Sequence, residues 1–233
     1  MRGFAREGPT LPLLDRPEAR ALLNDATARP ADVPACQQDL TDFLKRYLPL
    51  FYRRELRALA QVVIQGHLSG LERKTAEPIA RQVGRHRKPV QHFVGAGAWD
   101  DDAVLVELRR HAADEIGDPN GVLTVDTSGF AKKGTASCGV ARPWRGRLGK
   151  VANCPVGVFV SDAAQGSHIL VDRCLFLPRD GADDRQRRRK TQVPPAVAYR
   201  GHWRIALDLL GRSAPALPHG WICGDDAFGR ASQ

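Results

Sequence analysis

The sequence predicts a mixed α/β (α+β) protein, with a helical N-terminal region followed by a core built on a mixed β-sheet. Three observations predict it. Between Leu40 and Leu108 apolar residues recur at three- and four-residue steps, the period of amphipathic helices. A dense turn cluster then follows in Gly117, Asp118, Pro119, Asn120 and Gly121, which no helix crosses easily. Beyond it the apolar runs are short and separated by Gly-rich or polar turns, the pattern of strands.

Composition limits the possible functions. With 233 residues, 42% hydrophobic and 26% charged, the chain is globular rather than disordered along its length. Thirty-five Lys and Arg against 26 Asp and Glu leave a charge of +9 and a pI near 9.8, which draws the molecule to polyanions and makes nucleic acid the leading partner. No apolar stretch is long enough for a membrane span, and the opening MRGFAREGPTLPLLDRPEAR has no signal-peptide core, so a cytoplasmic protein with no membrane partner is expected. Cys36, Cys138, Cys154, Cys174 and Cys223 form neither a CxxC pair nor a zinc spacing, and are expected to be reduced structural thiols.

Residues 1–38 carry Pro9, Pro12, Pro17, Pro30 and Pro34, and such spacing predicts a loose arm. Residues 39–117 are predicted helical. Leu40, Phe43, Leu44, Tyr47, Leu48 and Phe51, then Leu56, Leu59 and Val63, mark amphipathic helices that Pro49 kinks or divides. In KTAEPIARQVG and RHRKPVQHFVGAG, the stripe of Ile79, Ala80 and Val83 and the stop at Gly84 have the spacing of a helix-turn-helix. Its second helix would present Arg85, His86, Arg87, Lys88 and Gln91 to phosphates and base edges of duplex DNA. The same spacing fits a helical hairpin with a solvated basic face. Trp99 and the acids Asp100, Asp101 and Asp102 open a further helix, where carboxylates suit the positive end of the dipole better than they suit a metal.

Residues 121–233 are predicted to form the sheet. VLTVDTSGF, VANCPVGVFVSD and SHILVDRCLFLP read as an antiparallel meander, followed by a helix over Trp203–Leu210 and a short strand in GWICGDDAFG. Three strands, a helix and a strand is the order of the ribonuclease H-like fold up to its fourth strand. In that fold the first and fourth strands lie side by side, so Asp126 and Asp225, each at the end of an apolar strand, would converge. Convergent carboxylates suit Mg2+, and two such ions can activate a water or 3′-hydroxyl and stabilise the leaving oxygen of a phosphodiester. A strand-end aspartate is also an ordinary turn cap.

The stretch DTSGFAKKGTASCGVARPWRGRLGKVANCPVGVFVS, with LVDRCLFLP and WICGDDAFG further on, resembles DDE-type insertion-sequence transposases, endonucleases with a ribonuclease H-like core, from about residue 40 onward. Asp126–Gly134 resembles the strand bearing the family's first catalytic acid. The acid pair ahead of Phe228 and Gly229 resembles its second, which falls on Asp225 with Asp226 beside it. The resemblance implies Mg2+ or Mn2+ held by Asp126, Asp225 and Asp226, cleavage and strand transfer of double-stranded DNA at element ends and target, and a nucleoid-associated enzyme whose protein partner is a second copy or full-length transposase. The family's third acid is a Glu on a helix well past the fourth strand, and no Glu follows Asp225 here. The expectation is thus a transposase truncated after its fourth strand, with that strand an exposed edge and no third acid. Its alternative role is an inactive DNA-binding remnant that regulates full-length transposase.

Two basic segments complete the expected DNA surface. Between Thr127 and Lys150 no acid occurs, while Lys132, Lys133, Arg142, Arg145, Arg147 and Lys150 lie among glycines, a composition that suits a strand led to the metals. Trp144 could stack on a base there or belong to the core. Arg185, Arg187, Arg188, Arg189 and Lys190 form the second segment, expected to contact phosphates. His168 and His202 could approach the metals or be structural. Gly224-Asp225-Asp226 and Asp126-Thr127-Ser128 resemble a polymerase palm hairpin and an aspartic-protease loop, but neither explains the remaining sequence.

Overall fold

The computed structural model describes residues 33–132, 134, 137–141, 144, 145, 150, 151, 153–225 and 228, with the backbone alone at 141, 144, 145, 150 and 151. Most of the expected Pro-rich arm, and Lys133, Arg142, Arg147 and Asp226, lie outside the described residues. The chain forms two compact units, one extending to Trp99 and one starting at Asp100.

The first unit is helical. Helix α1 runs Val33–Tyr47, so the chain is already helical at Pro34, whose missing N–H is tolerated in a first turn. A short 3-10 turn, Leu48–Leu50, holds Pro49 and separates α1 from α2, Arg54–Leu68, as the proline requires. Helices α3, Ala76–Gln82, and α4, Arg87–Ala96, follow. Val62 of α2, Ile79 and Ala80 of α3 and Val90 of α4 close one apolar core. Phe51, Phe93 and Trp99 close another, with ring centroids 5.4–5.7 Å apart and the Trp99 indole N–H donating to the Phe93 carbonyl at 3.0 Å.

The second unit opens on α5, Asp101–Ile116, whose N-cap Asp100 accepts from the Ala103 N–H at 3.0 Å. The acidic run therefore caps a helix. This helix packs on the sheet and belongs with it rather than with the helices before it. The long strands are β1, Val122–Gly129, β5, Cys154–Ala164, and β6, Ser167–Leu175. The two-residue pieces β2, Val140–Ala141, β3, Trp144–Arg145, and β4, Lys150–Val151, lie between the first two. β1, β5 and β6 form the antiparallel meander. Gln165 and Gly166, with φ of 52° and 75°, turn β5 into β6 in the two-residue manner that matches strand twist.

Two short helices, α6, Arg179–Asp183, and α7, Arg185–Lys190, precede α8, His202–Ser213. The chain then returns as β7, Trp221–Gly224, parallel to β1. The main sheet runs β6-β5-β1-β7, with β2 on the start of β5, a mixed sheet in the predicted order. Leu123, Val125, Val158, Val160 and Val171 face Ile205, Ala206 and Leu209 of α8 and Ala112 of α5, so helices cover one face of the sheet. All four residues of β7 are exposed, and its outer edge has no partner among the described residues.

Two buried carboxylates lie on that covered face. A bulge in β6, where the register slips between Val160↔Asp172 and Ser161↔Leu170, buries the consecutive residues Val171 and Asp172. Such a bulge re-aims side chains. Asp172 accepts from Arg212 Nε at 3.2 Å and Nη2 at 3.0 Å, and from Ser213 Oγ at 3.2 Å, while Arg109 Nη1 of α5 lies 3.3 Å away.

Asp162 is fully buried, and neither of its oxygens has a hydrogen-bond partner among the described residues. Burial pushes its carboxyl above the ordinary value, with the charge of His219 and the neighbouring Ala163 backbone N–H, too poorly aligned for a full hydrogen bond, working the other way. A raised carboxyl value favours folding while protonated. That contribution is complete below the unfolded value of about 4 and is lost as pH rises through the folded one. Asp162→Asn is therefore expected to flatten the fall in melting temperature between acid and neutral pH and to melt above the wild type at neutral pH. Parallel pH profiles of the two proteins, measured by calorimetry, would contradict this.

Candidate active site and nucleic-acid interface

β1 and β7 run parallel with Val122 opposite Trp221 and Val125 opposite Gly224. Asp126 is the next residue of β1 and Asp225 directly follows β7, so the two residues leave neighbouring backbones, about 4.8 Å apart, where β7 ends. The expected strand-end position holds for Asp225 alone, because β1 continues past Asp126 to Gly129 in pairing with β5. Both acids are exposed. Asp126 Oδ1 accepts from the Thr127 N–H at 2.6 Å, which holds its carboxylate close to the backbone. Across β1, Asp126 stands opposite Phe159 of β5, and the Phe159 ring packs edge-on against Phe130 at 6.1 Å. An apolar floor therefore lies behind the acid.

His202, in the first turn of α8, adjoins this end. Its ring packs on Phe176 at 4.0 Å, and its Nε2 is buried without a hydrogen-bond partner among the described residues. Burial holds the imidazole below its ordinary value, while the nearby Asp225 carboxylate pulls the other way. His168 stands opposite Ala163, beside the hairpin turn at the other end of the sheet, and so is remote from the acids. Oxygen-only donors converging from two strands suit a hard divalent cation whose remaining positions are filled by water and phosphate. Among the described residues no group of three or more His, Cys, Asp or Glu is gathered. Asp226, the third expected ligand, is not described.

The same end of the sheet carries the basic segments. Lys132 is exposed and bonds to Ser137 Oγ, and its backbone N–H donates to Asn153 O at 3.0 Å, extending the β1–β5 pairing. Arg145 and Lys150 pair across β3 and β4. Arg187 and Arg188 differ from the free phosphate contacts expected of them. Arg187 Nη2 donates to Val140 O at 2.6 Å, and Arg188 donates to the carbonyls of Ala182, Pro194, Pro195 and Val197 at 2.8–3.4 Å. Both guanidiniums are engaged with backbone, whereas Arg189 is exposed. Contiguous basic letters gave no signal of this division, because the accepting carbonyls are distant or in loops.

In the first unit, α3 ends in a Schellman arrangement. The Gly84 N–H donates to Arg81 O at 3.1 Å and the Arg85 N–H to Ala80 O at 2.9 Å, with Gly84 at φ 65°. The four residues Val83–His86 then lead into α4, where His86 Nδ1 accepts from the Lys88 N–H at 3.3 Å. Val90 and Phe93 face inward. Arg85, Arg87, Lys88, Gln91 and His92 are exposed, with Glu77 bridging Arg81 at 3.2 Å and Arg87 at 3.4 Å. This is the geometry of two helices joined by a tight turn, with one polar, mainly basic helix face outward.

A mixed sheet in ribonuclease H-like order, with two carboxylates at neighbouring positions of adjacent parallel strands, defines the class of fold. Residues 46–233 match the family model of the DDE superfamily endonucleases, and the chain belongs to that family. No curated protein and no solved structure matches it. Nucleic-acid cleavage is the chemistry the family implies. Among the described residues no helix is long and apolar enough to cross a membrane.

Proposed function

We propose that this chain cleaves double-stranded DNA at the ends of an insertion sequence and transfers the cut strand to a target, using Mg2+ or Mn2+ held by Asp126, Asp225 and Asp226. The observation that supports this reading is the β1–β7 register, which ends at Val125 opposite Gly224 and so makes Asp126 and Asp225, both exposed, the next pair of neighbours. A bound divalent ion supplies activation of the attacking water or 3′-hydroxyl and stabilisation of the leaving oxygen. The chain's own residues prepare that site. The Thr127 N–H orients Asp126, Phe159 and Phe130 wall one side, and Lys132 adds positive charge for the substrate backbone. Arg85 in the turn before α4, with Arg87 and Lys88 at the start of α4, would bind duplex DNA, and Gln91 would read a base edge.

The test is nicking of supercoiled plasmid by the purified chain with Mg2+ or Mn2+, against the same mixture with a chelator. Metal-dependent nicking is the expected result. Duplex binding with no nicking would instead favour a DNA-binding regulator of a longer transposase, and absence of both would overturn the proposal.

A further inference from the structure

α7 has the sequence Arg-Gln-Arg-Arg-Arg-Lys and contains no acid; Asp180, Asp183 and Asp184 all precede it. Its five cations fall into two sets. Arg187 and Arg188 are half-buried and bond to backbone, as described above. Arg185, Arg189 and Lys190 are exposed, and none of the three has a side-chain hydrogen bond or ion pair among those found for the described residues. Asp184 caps the helix by accepting from the Arg187 N–H at 2.9 Å, and the Thr191 N–H and hydroxyl close its other end on Arg187 O at 2.9 and 2.8 Å. A helix this short has little stability of its own. Here two caps and two arginines hold it in place.

The register shows where it is held. β1 runs toward Asp126 and ends at Gly129, opposite Val156 near the start of β5. β6 ends at Leu175, opposite Gly157, and the next residue, Phe176, donates to Val156 O at 2.8 Å. The chain therefore leaves β6 at the acid-bearing end of the sheet. Arg187 then fastens α7 to Val140 of β2, which pairs with Pro155 of β5. Asp126 stands opposite Phe159 and Val140 opposite Pro155, so the anchor lies two strand spacings across and four residues along the sheet from the acid, about 17 Å, or about five phosphates along one DNA strand. The Arg187–Val140 hydrogen bond thus ties α7 to a strand 47 residues earlier in the sequence.

Resting on the reading of the chain as a DNA-cleaving enzyme, we propose that α7 is a fixed phosphate rail: Arg185, Arg189 and Lys190 contact the backbone of the DNA entering the carboxylate site, and Arg187 and Arg188 position the helix without touching DNA. Because the helix that carries them is already held, these side chains bind without the backbone ordering cost that the same residues on a loop would incur. Contacts of this kind are independent of base sequence.

The test is fluorescence-anisotropy binding of the full chain to a labelled duplex of arbitrary sequence, between about 50 and 200 mM salt. Each phosphate contact carries about 0.9 of the log–log salt slope, so R185Q/R189Q/K190Q is expected to flatten the slope by about 2 to 3 and to weaken binding by tenfold or more at the low-salt end, with an unchanged melting temperature. R85Q/R87Q/K88Q, on the other unit, is expected to flatten it by a separate, additive amount. R187Q/R188Q is expected to lower the melting temperature. A wild type that binds with a steep slope shared by R185Q/R189Q/K190Q would overturn the rail and leave the DNA-cleaving reading standing. A wild type that does not bind DNA would overturn both.

Discussion

Replacing Asp126 by Asn is expected to reduce metal-dependent nicking by about 10³-fold while leaving the fold intact. The asparagine has nearly the same shape, and its carbonyl oxygen can still accept from the Thr127 N–H as the carboxylate does. What it removes is the charge facing the cation. A metal's stabilisation of the transition state amounts to several kcal/mol, and each 1.36 kcal/mol corresponds to about tenfold in rate. Asp126 is exposed, so the melting temperature should move by no more than about 2 °C. The expected signature is a loss of cleavage without loss of stability or of duplex binding. Full activity in Asp126→Asn would show that the carboxylate serves only its local hydrogen bond to the Thr127 N–H.

Asp172→Ala should do the reverse, unfolding the second unit while touching nothing near the carboxylate site. Its side chain is fully buried and is shared by α5, β6 and α8 through Arg109, Arg212 and Ser213. Removing it leaves the Arg109 guanidinium, itself only 9% exposed, without its counter-charge. Breaking one partner out of such a pair costs about 3–5 kcal/mol, which corresponds to a fall on the order of 10 °C or more in melting temperature. Arg212 is half exposed, and water can take over its partner's role, so most of the cost is assigned to Arg109. The double variant Asp172→Ala, Arg109→Met is accordingly expected to recover part of the loss. If Asp172→Ala melts like the wild type, the network contributes nothing measurable.

The period of the apolar residues was legible in the sequence, and with it most of the helices, the meander and the returning strand, because each is set by residues close together in the chain; α6 and α7, without an apolar stripe, and the first turn of α1, inside the expected loose arm, were not. Pro49 dividing two helices and Gly84 stopping α3 are of the same local kind. The neighbouring positions of Asp126 and Asp225 follow from strand order, which the sequence could supply only through its resemblance to a known fold. Less legible was anything decided by long-range contact. α5 looks like one more helix of the N-terminal series, yet Ala112 packs into the sheet core and Asp101 pairs with Arg173 of β6. Nothing in the local sequence of Asp172 distinguishes it from an ordinary strand aspartate, since its arginines come from helices on either side and its burial depends on a bulge. Arg187 and Arg188 look identical to Arg189 in the sequence. Only the fold separates the side chains bound to carbonyls from the one facing solvent.

The most direct measurement is titration of the chain with Mn2+, followed by the electron paramagnetic resonance of the free ion, with and without a short duplex, in the wild type, Asp126→Asn and Asp225→Asn. If the two carboxylates share a cation, each substitution alone should weaken Mn2+ binding by about tenfold or more, and the duplex should strengthen binding in the wild type by adding phosphate oxygens to the shell. Equal Mn2+ affinity in all three proteins would contradict the shared site.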